Sequence, residues 1–198
     1  MRINALLNLD DRKLILASAS PRRASLLKQV GFEFEVWPSE IDEDVETFMI
    51  PENHVLELSY KKATKVAEIM KEGLIIGADT IVVLGSDILG KPESADEART
   101  MLSRLSGHTH TVYTGLTILD KVSGRSACDY ERTDVTFRFL SESEIEQYVE
   151  TRSSLDKAGS YGIQDSGALF VSKIEGCFYN VMGFPLTKFY LTLRSFLN

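Results

Sequence analysis

The chain has 198 residues, 43% of them hydrophobic, and a formal net charge of −7. That suffices for one domain with a sizeable core, expected over residues 1–198 and in two lobes, while the acidic balance argues against nucleic-acid binding, which relies on a basic surface. No run approaches the roughly 18 apolar residues of a membrane span, the opening residues with Asp10 and Asp11 do not read as a signal peptide, and Cys128 and Cys177 form no C-x-x-C unit, so a cytoplasmic protein without a zinc site is expected.

Leu14-Ile15-Leu16-Ala17 reads as a buried strand, followed by a tight Ser/Ala/Ser turn. Ser20 then suits an N-cap, Pro21 the first helical position, and Arg22 and Arg23 the first turn of a helix to Val30, closed by Gly31. Backbone N–H groups at a helix N-terminus lack intrahelical partners and attract anions. Cations there oppose the helix dipole. Two arginines in that turn are thus poorly placed for helix stability and well placed to grip a phosphate chain. The plain alternative is a strand-to-helix turn with two solvated arginines.

A strand over Glu33–Trp37 precedes an acidic segment, Glu40–Glu46, and a helix from Pro51 to about Lys71. Val55, Leu58, Val66 and Ile69 form its apolar stripe at spacings of three and four. Lys62 lies on that stripe, whereas Lys61 and Lys65 lie toward the opposite face. Lys62 therefore points toward the core or a cleft, unless it snorkels at the stripe's edge. The next segment, Leu74–Leu84, is apolar almost throughout and is expected to form strands at 74–78 and 80–84, with one carboxylate, Asp79, in its middle. Charged residues are rarely fully buried unless paired, so Asp79 needs a partner, a metal or a task. A turn aspartate where the strand bends at Gly77 is the structural alternative.

After a Gly85-Ser86-Asp87 turn and a short return to Leu89, Lys91 precedes Pro92 and is held extended. Ser94-x-x-Glu97 and Ser141-x-x-Glu144 read as capping boxes opening helices to about Arg104 and Glu150. Between them lie two strand-rich segments, Thr109–Leu119 and Arg125–Phe139. Gly159 and Gly162 punctuate a loop over Asp156–Gln164; a strand at Ala168–Ile174 and a helix from Pro185 to about Phe196 follow. This alternation predicts an α/β fold with a mixed sheet. Neither G-x-G-x-x-G nor a Walker-type sequence occurs, so neither a dinucleotide fold nor a P-loop is supported. His108-x-His110 on a strand would place two imidazoles on one face, as metal ligands require, but no third ligand lies nearby in sequence.

Several of these segments carry a resemblance spanning about Lys13 to Leu193. They are A-S-A-S-P-R-R at 17–23, S-E-I-D-E at 39–43, G-A-D-T at 77–80, G-K-P at 90–92, L-S-G-H-T-H at 105–110, D-K-A-G-S-Y-G-I-Q at 156–164 and V-M-G-F-P-L at 181–186. In this order they resemble the Maf family of nucleoside triphosphate pyrophosphatases, and within it the branch that hydrolyses dTTP and UTP. The resemblance implies an elongated mixed-sheet α/β fold with a cleft between two lobes, similar to the inosine-triphosphate pyrophosphatases. It also implies hydrolysis of dTTP and UTP, or of modified pyrimidine nucleotides, to the monophosphate and pyrophosphate, a house-cleaning activity against non-standard nucleotides. A homodimer is a family-level expectation.

Cleavage between the α and β phosphates requires charge neutralisation, an activated water and a stabilised leaving group. Arg22, Arg23, Lys62 and Lys91 supply positive charge, the arginines with a fork matched to phosphate oxygens; Lys157 is a further candidate. Asp79 is the best general base, or else the carboxylate holding a metal that activates the water. By its match to the family's G-A-D-T it is the proton acceptor. A divalent cation is expected, Mg²⁺ by its preference for hard oxygen ligands, with Glu43 as the family-matched acid. Glu40, Asp42 and Asp44 crowd that assignment, and most of the cluster reads as a solvated acidic loop. A glutamine amide offers both a donor and an acceptor, which suits Gln164 to a pyrimidine edge. By resemblance, Arg22, Thr80 and Gln164 set substrate choice. The relative that prefers 7-methyl-GTP has tryptophan and glutamine in place of Arg22 and Thr80 and lacks the Y-G-I-Q run. The rivals are a nucleotide-sensing regulator of septum formation or cell division without turnover, and a phosphomonoesterase.

Overall fold

A computed structural model describes residues 3–9, 12–41 and 50–198. Its elements are α1 (Ile3–Leu6), β1 (Leu14–Ala17), α2 (Pro21–Gln29), β2 (Glu35–Val36), α3 (Pro51–Ile69), β3 (Leu74–Leu84), β4 (Asp87–Leu89) and α4 (Ala95–Leu105). There follow β5 (Thr109–Asp120), β6 (Ser126–Phe137), α5 (Glu142–Glu150), short 3₁₀ turns at Ala158–Ser160 and Ser166–Phe170, β7 (Val171–Glu175), α6 (Phe178–Val181) and α7 (Leu186–Leu197). The strands form one sheet in the order β2-β1-β3-β5-β6-β7, with β4 on β3. It is mixed: β1 runs parallel to β2 and β3, while β4 is antiparallel to β3 and β7 to β6. The expected α/β class with a mixed sheet is present.

The elements differ from expectation where pairing or side-chain chemistry overrides local sequence. Leu74–Leu84 is one strand rather than two: β1 pairs with residues 74–77, β4 with residues 82–84, and β5 is its other neighbour in the sheet. The backbone continues as strand through Asp79, and Gly77 is not a bend. The strand expected at Ala168–Ile174 starts as a 3₁₀ turn because the Asp165 side chain caps it by accepting from the Gly167 N–H; β7 begins only at Val171. Ser141 and Glu144 make the full reciprocal capping box. At α4, Ser94 accepts from the Glu97 N–H, but the Glu97 carboxylate reaches the Glu93 N–H instead.

The chain divides into two compact units. The first comprises Met1–Asp79, Thr114–Glu131 and Gly183–Asn198; the second comprises Thr80–Tyr113 and Arg132–Met182. In the first unit α3 lies on the sheet, with Ala63, Val66 and Ala67 packed against Ile15, Ala17 and Ile75. Ile69, expected on the buried stripe, is the last residue of α3 and is exposed. Two glycines let α3 approach this closely. A Cβ on Gly77 would meet the Ser59 carbonyl oxygen at 2.0 Å, and one on Gly115 the Val55 carbonyl oxygen at 2.1 Å. In the second unit, α4 and α5 pack over Val82, Val112, Val135 and Phe137. The rings of Phe137, Tyr148, Tyr161 and Phe170 meet there edge to face.

Candidate active site

The closest union of predicted residues lies in the first unit. Side chains two apart on a strand share a face, so Asp79 projects on the same side as Gly77, the glycine that receives α3. Ser59 sits against Gly77, and Lys62 follows one turn later. The result is an ion pair, Lys62 Nζ to Asp79 Oδ1 at 2.6 Å, with both side chains 8% exposed. The partner that a carboxylate inside an apolar strand requires is therefore Lys62, and the lysine predicted on the buried stripe is buried. Lys61, its chain neighbour, is exposed and pairs with Glu57 on the helix surface.

Arg23 ties the surrounding backbone together. Its Nε donates to the Gly183 carbonyl at 2.9 Å, and one terminal nitrogen donates to the Ala78 carbonyl at 2.9 Å and to Ser18 Oγ at 3.0 Å. Three matched segments, 17–23, 77–80 and 181–186, thus meet on one guanidinium, immediately beside Asp79. Ser20 occupies the N-cap position of α2 with Pro21 next, but its side chain does not cap. Ser18 Oγ instead fixes the turn that precedes the helix, accepting from the Ser20 N–H at 3.2 Å. Arg22 stands half-buried in the first turn of α2. Nothing in the sequence marks Ser18 or Gly183 for these contacts beyond their membership of the matched motifs.

Thr80, Lys91, Lys157 and Gln164 belong to the second unit. Thr80 is half-buried on β3, next in chain to Asp79, and Lys91 is exposed before the buried Pro92. Gln164 is exposed in the turn over residues 162–165, where the Asp165 N–H donates to the Gly162 carbonyl at 3.4 Å. Lys157 faces carboxylates rather than open solvent: its Nζ lies 2.7 Å from Asp156 and 3.5 Å from Asp165 and donates to the Ser153 carbonyl. Glu43 lies outside the described residues.

Among the described residues no group of three His, Cys, Asp or Glu could hold a metal ion. His108 precedes β5 and is exposed, its Nδ1 2.8 Å from the Ser106 carbonyl. His110 is buried, with Nε2 2.8 Å from the Tyr161 hydroxyl. Burial pushes its imidazole down to about 4, against the opposing pull of the Asp134 carboxylate. The two histidines therefore have separate surroundings and separate partners. An open groove of about 620 Å³, lined by Arg125, by Ser126, Ala127, Cys128 and Asp129 of β6 and by Leu191, Thr192, Ser195 and Phe196 of α7, contains none of the predicted site residues. No helix among the described residues is long and apolar enough to cross a membrane.

Known proteins are similar to this chain over most of its length. A protein of Desulforamulus reducens called dTTP/UTP pyrophosphatase is 46% identical over 185 residues, 93% of this chain and 97% of that protein. Proteins of the same name from Bacillus cytotoxicus and Caldicellulosiruptor bescii are 48% and 46% identical, covering 93% of this chain and 96% and 94% of theirs. Among solved structures, a nucleoside-triphosphatase / dITP/XTP pyrophosphatase from Mycobacterium abscessus superposes with a TM-score of 0.41 at 14% identity, over 65% of this chain and 75% of that one. The family model described as Maf-like protein matches residues 13–196. The chain belongs to the Maf family.

Proposed function

We propose that this protein is a nucleoside triphosphate pyrophosphatase that hydrolyses dTTP and UTP, including modified pyrimidine nucleotides, to the monophosphate and pyrophosphate. The observation that carries the proposal is the Lys62–Asp79 pair, a buried carboxylate held in a fixed orientation within the G-A-D-T motif. Support comes from the curated relatives named dTTP/UTP pyrophosphatase, which this chain matches over nearly their full length.

In this reading Asp79 accepts the proton of the water that attacks the α phosphorus. Lys62 holds one carboxylate oxygen, leaving the proton to be taken at the other. Arg22, at the N-terminus of α2, meets the phosphate chain, and Lys62 and Lys91 add charge against the leaving pyrophosphate. Arg23 both frames the site, through Ala78, Ser18 and Gly183, and counters phosphate charge. Arg22, Thr80 and Gln164 select the base. A triphosphate supplies the hard oxygen ligands that a divalent cation prefers. Mg²⁺, with Glu43 as the family-matched acid, would supply Lewis-acid stabilisation of the phosphate charge.

Residues 1–198 act in this proposal as one catalytic domain, in the cytoplasm and as a homodimer, with nucleoside triphosphate rather than nucleic acid as the partner. The acidic net charge and the two free cysteines agree with it. Incubating the purified protein with Mg²⁺ and a panel of nucleotides, then identifying the products, tests the reading. Monophosphate and pyrophosphate are expected. Diphosphate and phosphate would indicate a phosphatase, and no turnover a nucleotide sensor.

A further inference from the structure

Gln164 is carried on a turn whose two ends converge on one phenol. The Tyr148 hydroxyl, from α5, accepts a hydrogen bond from the Gly162 N–H at 2.9 Å and donates one to Asp165 Oδ1 at 2.9 Å. Gly162 and Asp165 are the first and last residues of the turn, and Ile163 and Gln164 are its centre. Ile163 is buried, while Gln164 faces outward and, among the described residues, its side chain has no hydrogen-bonding partner. An exposed amide with no partner keeps a fixed aim only if its backbone is held.

The surroundings of the phenol are built for this contact. A Cβ on Gly162 would meet Asp165 Oδ2 at 2.5 Å and the Lys157 side chain at 2.7 Å. A Cβ on Gly167 would meet the Gly162 carbonyl oxygen at 2.7 Å and the Tyr148 hydroxyl at 3.1 Å. Both glycines thus clear the space in which hydroxyl, carboxylate and turn meet. Asp165 Oδ1 accepts in addition from the Gly167 N–H at 2.9 Å, and Lys157 Nζ lies 3.5 Å from its other oxygen. The Tyr148 ring is itself clamped, 3% exposed and edge-on to Phe170 with centroids 5.0 Å apart. Burial, with the Asp165 carboxylate beside it, keeps the phenol protonated by pushing it above its ordinary range. One residue before the turn, Tyr161 is anchored on His110 in the same way.

We propose that Tyr148 is a positioning residue for base selection: its hydroxyl pins both ends of the 162–165 turn and thereby aims the Gln164 amide at the nucleobase. The proposal rests on the reading of Gln164 as the base-selecting residue. Tyr148 does not touch the substrate. Its part is to remove the freedom that would let Gln164 pair equally well with any base edge.

The test compares Tyr148→Phe, Gln164→Ala and the double variant, reading kcat/KM for dTTP and UTP against ATP and GTP, with thermal midpoints alongside. Tyr148→Phe keeps the ring against Phe170 and removes both hydrogen bonds. It should lower the pyrimidine-over-purine ratio by about 10- to 100-fold, the scale of effect that a small misplacement of a positioned group produces. The double variant should be no less selective than Gln164→Ala alone, since the aim of an absent amide has no consequence. Asp165→Ala, which releases the other end of the turn, should lower the ratio in the same direction and provides the readout if Tyr148→Phe does not fold. An unchanged ratio in the folded Tyr148→Phe or Asp165→Ala protein, even with a lower midpoint, would make the clamp merely structural and overturn the inference, while a ratio lost in Gln164→Ala would leave the base-selecting reading standing. A ratio unchanged in Gln164→Ala would overturn that reading and the inference with it.

Discussion

Two lysines adjacent in sequence show how far the face of a helix determines what a residue does. Lys61 and Lys62 have the same chemistry, yet one pairs with Glu57 near the surface of α3 and the other is buried against Asp79. Exposed pairs on a helix contribute within about 1 kcal/mol, so Lys61→Ala should leave stability and turnover nearly unchanged. Removing one partner of a buried pair strands the other and typically costs about 3–5 kcal/mol. Lys62→Ala should therefore lower both stability and turnover, and the loss of stability should be smaller when Asp79→Asn is added, because no unpaired carboxylate then remains. Urea denaturation of the three variants measures this; equal effects of Lys61→Ala and Lys62→Ala would show that burial of the pair has no consequence.

At the scale of elements, the site depends on α3 touching the sheet, and that contact depends on two missing side chains. Gly77 does not have a left-handed backbone; its Cβ is excluded because the Ser59 carbonyl occupies the space 2.0 Å away. Gly77→Ala should therefore push α3 outward, cost about 1–3 kcal/mol or more in stability, and reduce turnover by separating Lys62 from Asp79. Gly90→Ala, where a Cβ meets nothing within 4 Å, should change stability by no more than about 0.5 kcal/mol. Comparing their thermal midpoints and rates separates close approach from a general cost of replacing glycine. The periodicity of Val55, Leu58 and Val66 was enough to place Lys62 on the buried side, and the apolar run around Asp79 was enough to require a partner for it. What the run cannot reveal is a single strand in place of two: its pairing with β1, distant in sequence, and its place between β1 and β5 arise only in the assembled sheet. Tyr148 was illegible for the same reason. It reads as one more apolar position beside Ile145 and Val149, and only the fold brings its hydroxyl to Gly162 and Asp165.

For the whole molecule, pH is a probe of stability through His110. In the unfolded chain this imidazole takes a proton near its ordinary value of 6.5, whereas in the folded protein burial holds it neutral down to about 4. Between those values the unfolded state binds more protons, so stability falls as pH falls through this window. From pH 7 to pH 5 the contribution lost is about 2 kcal/mol, at about 1.4 kcal/mol per pH unit below 6.5. His110→Gln should lack that part of the pH dependence, and denaturation midpoints of both proteins at pH 7 and pH 5 check it. The activity of the molecule rests in turn on Asp79. In Asp79→Asn the side-chain oxygen can still accept from Lys62, so the variant should keep its fold, as circular dichroism would verify, at a cost in stability for the buried lysine left without its counter-charge, while losing the group that takes the water's proton. The most direct measurement is pyrophosphate release from dTTP by Asp79→Asn with Mg²⁺ present. A rate reduced by about 10²–10⁴ in a folded protein is expected, the contribution of a positioned base; a rate near that of the unaltered protein would contradict the assignment of Asp79.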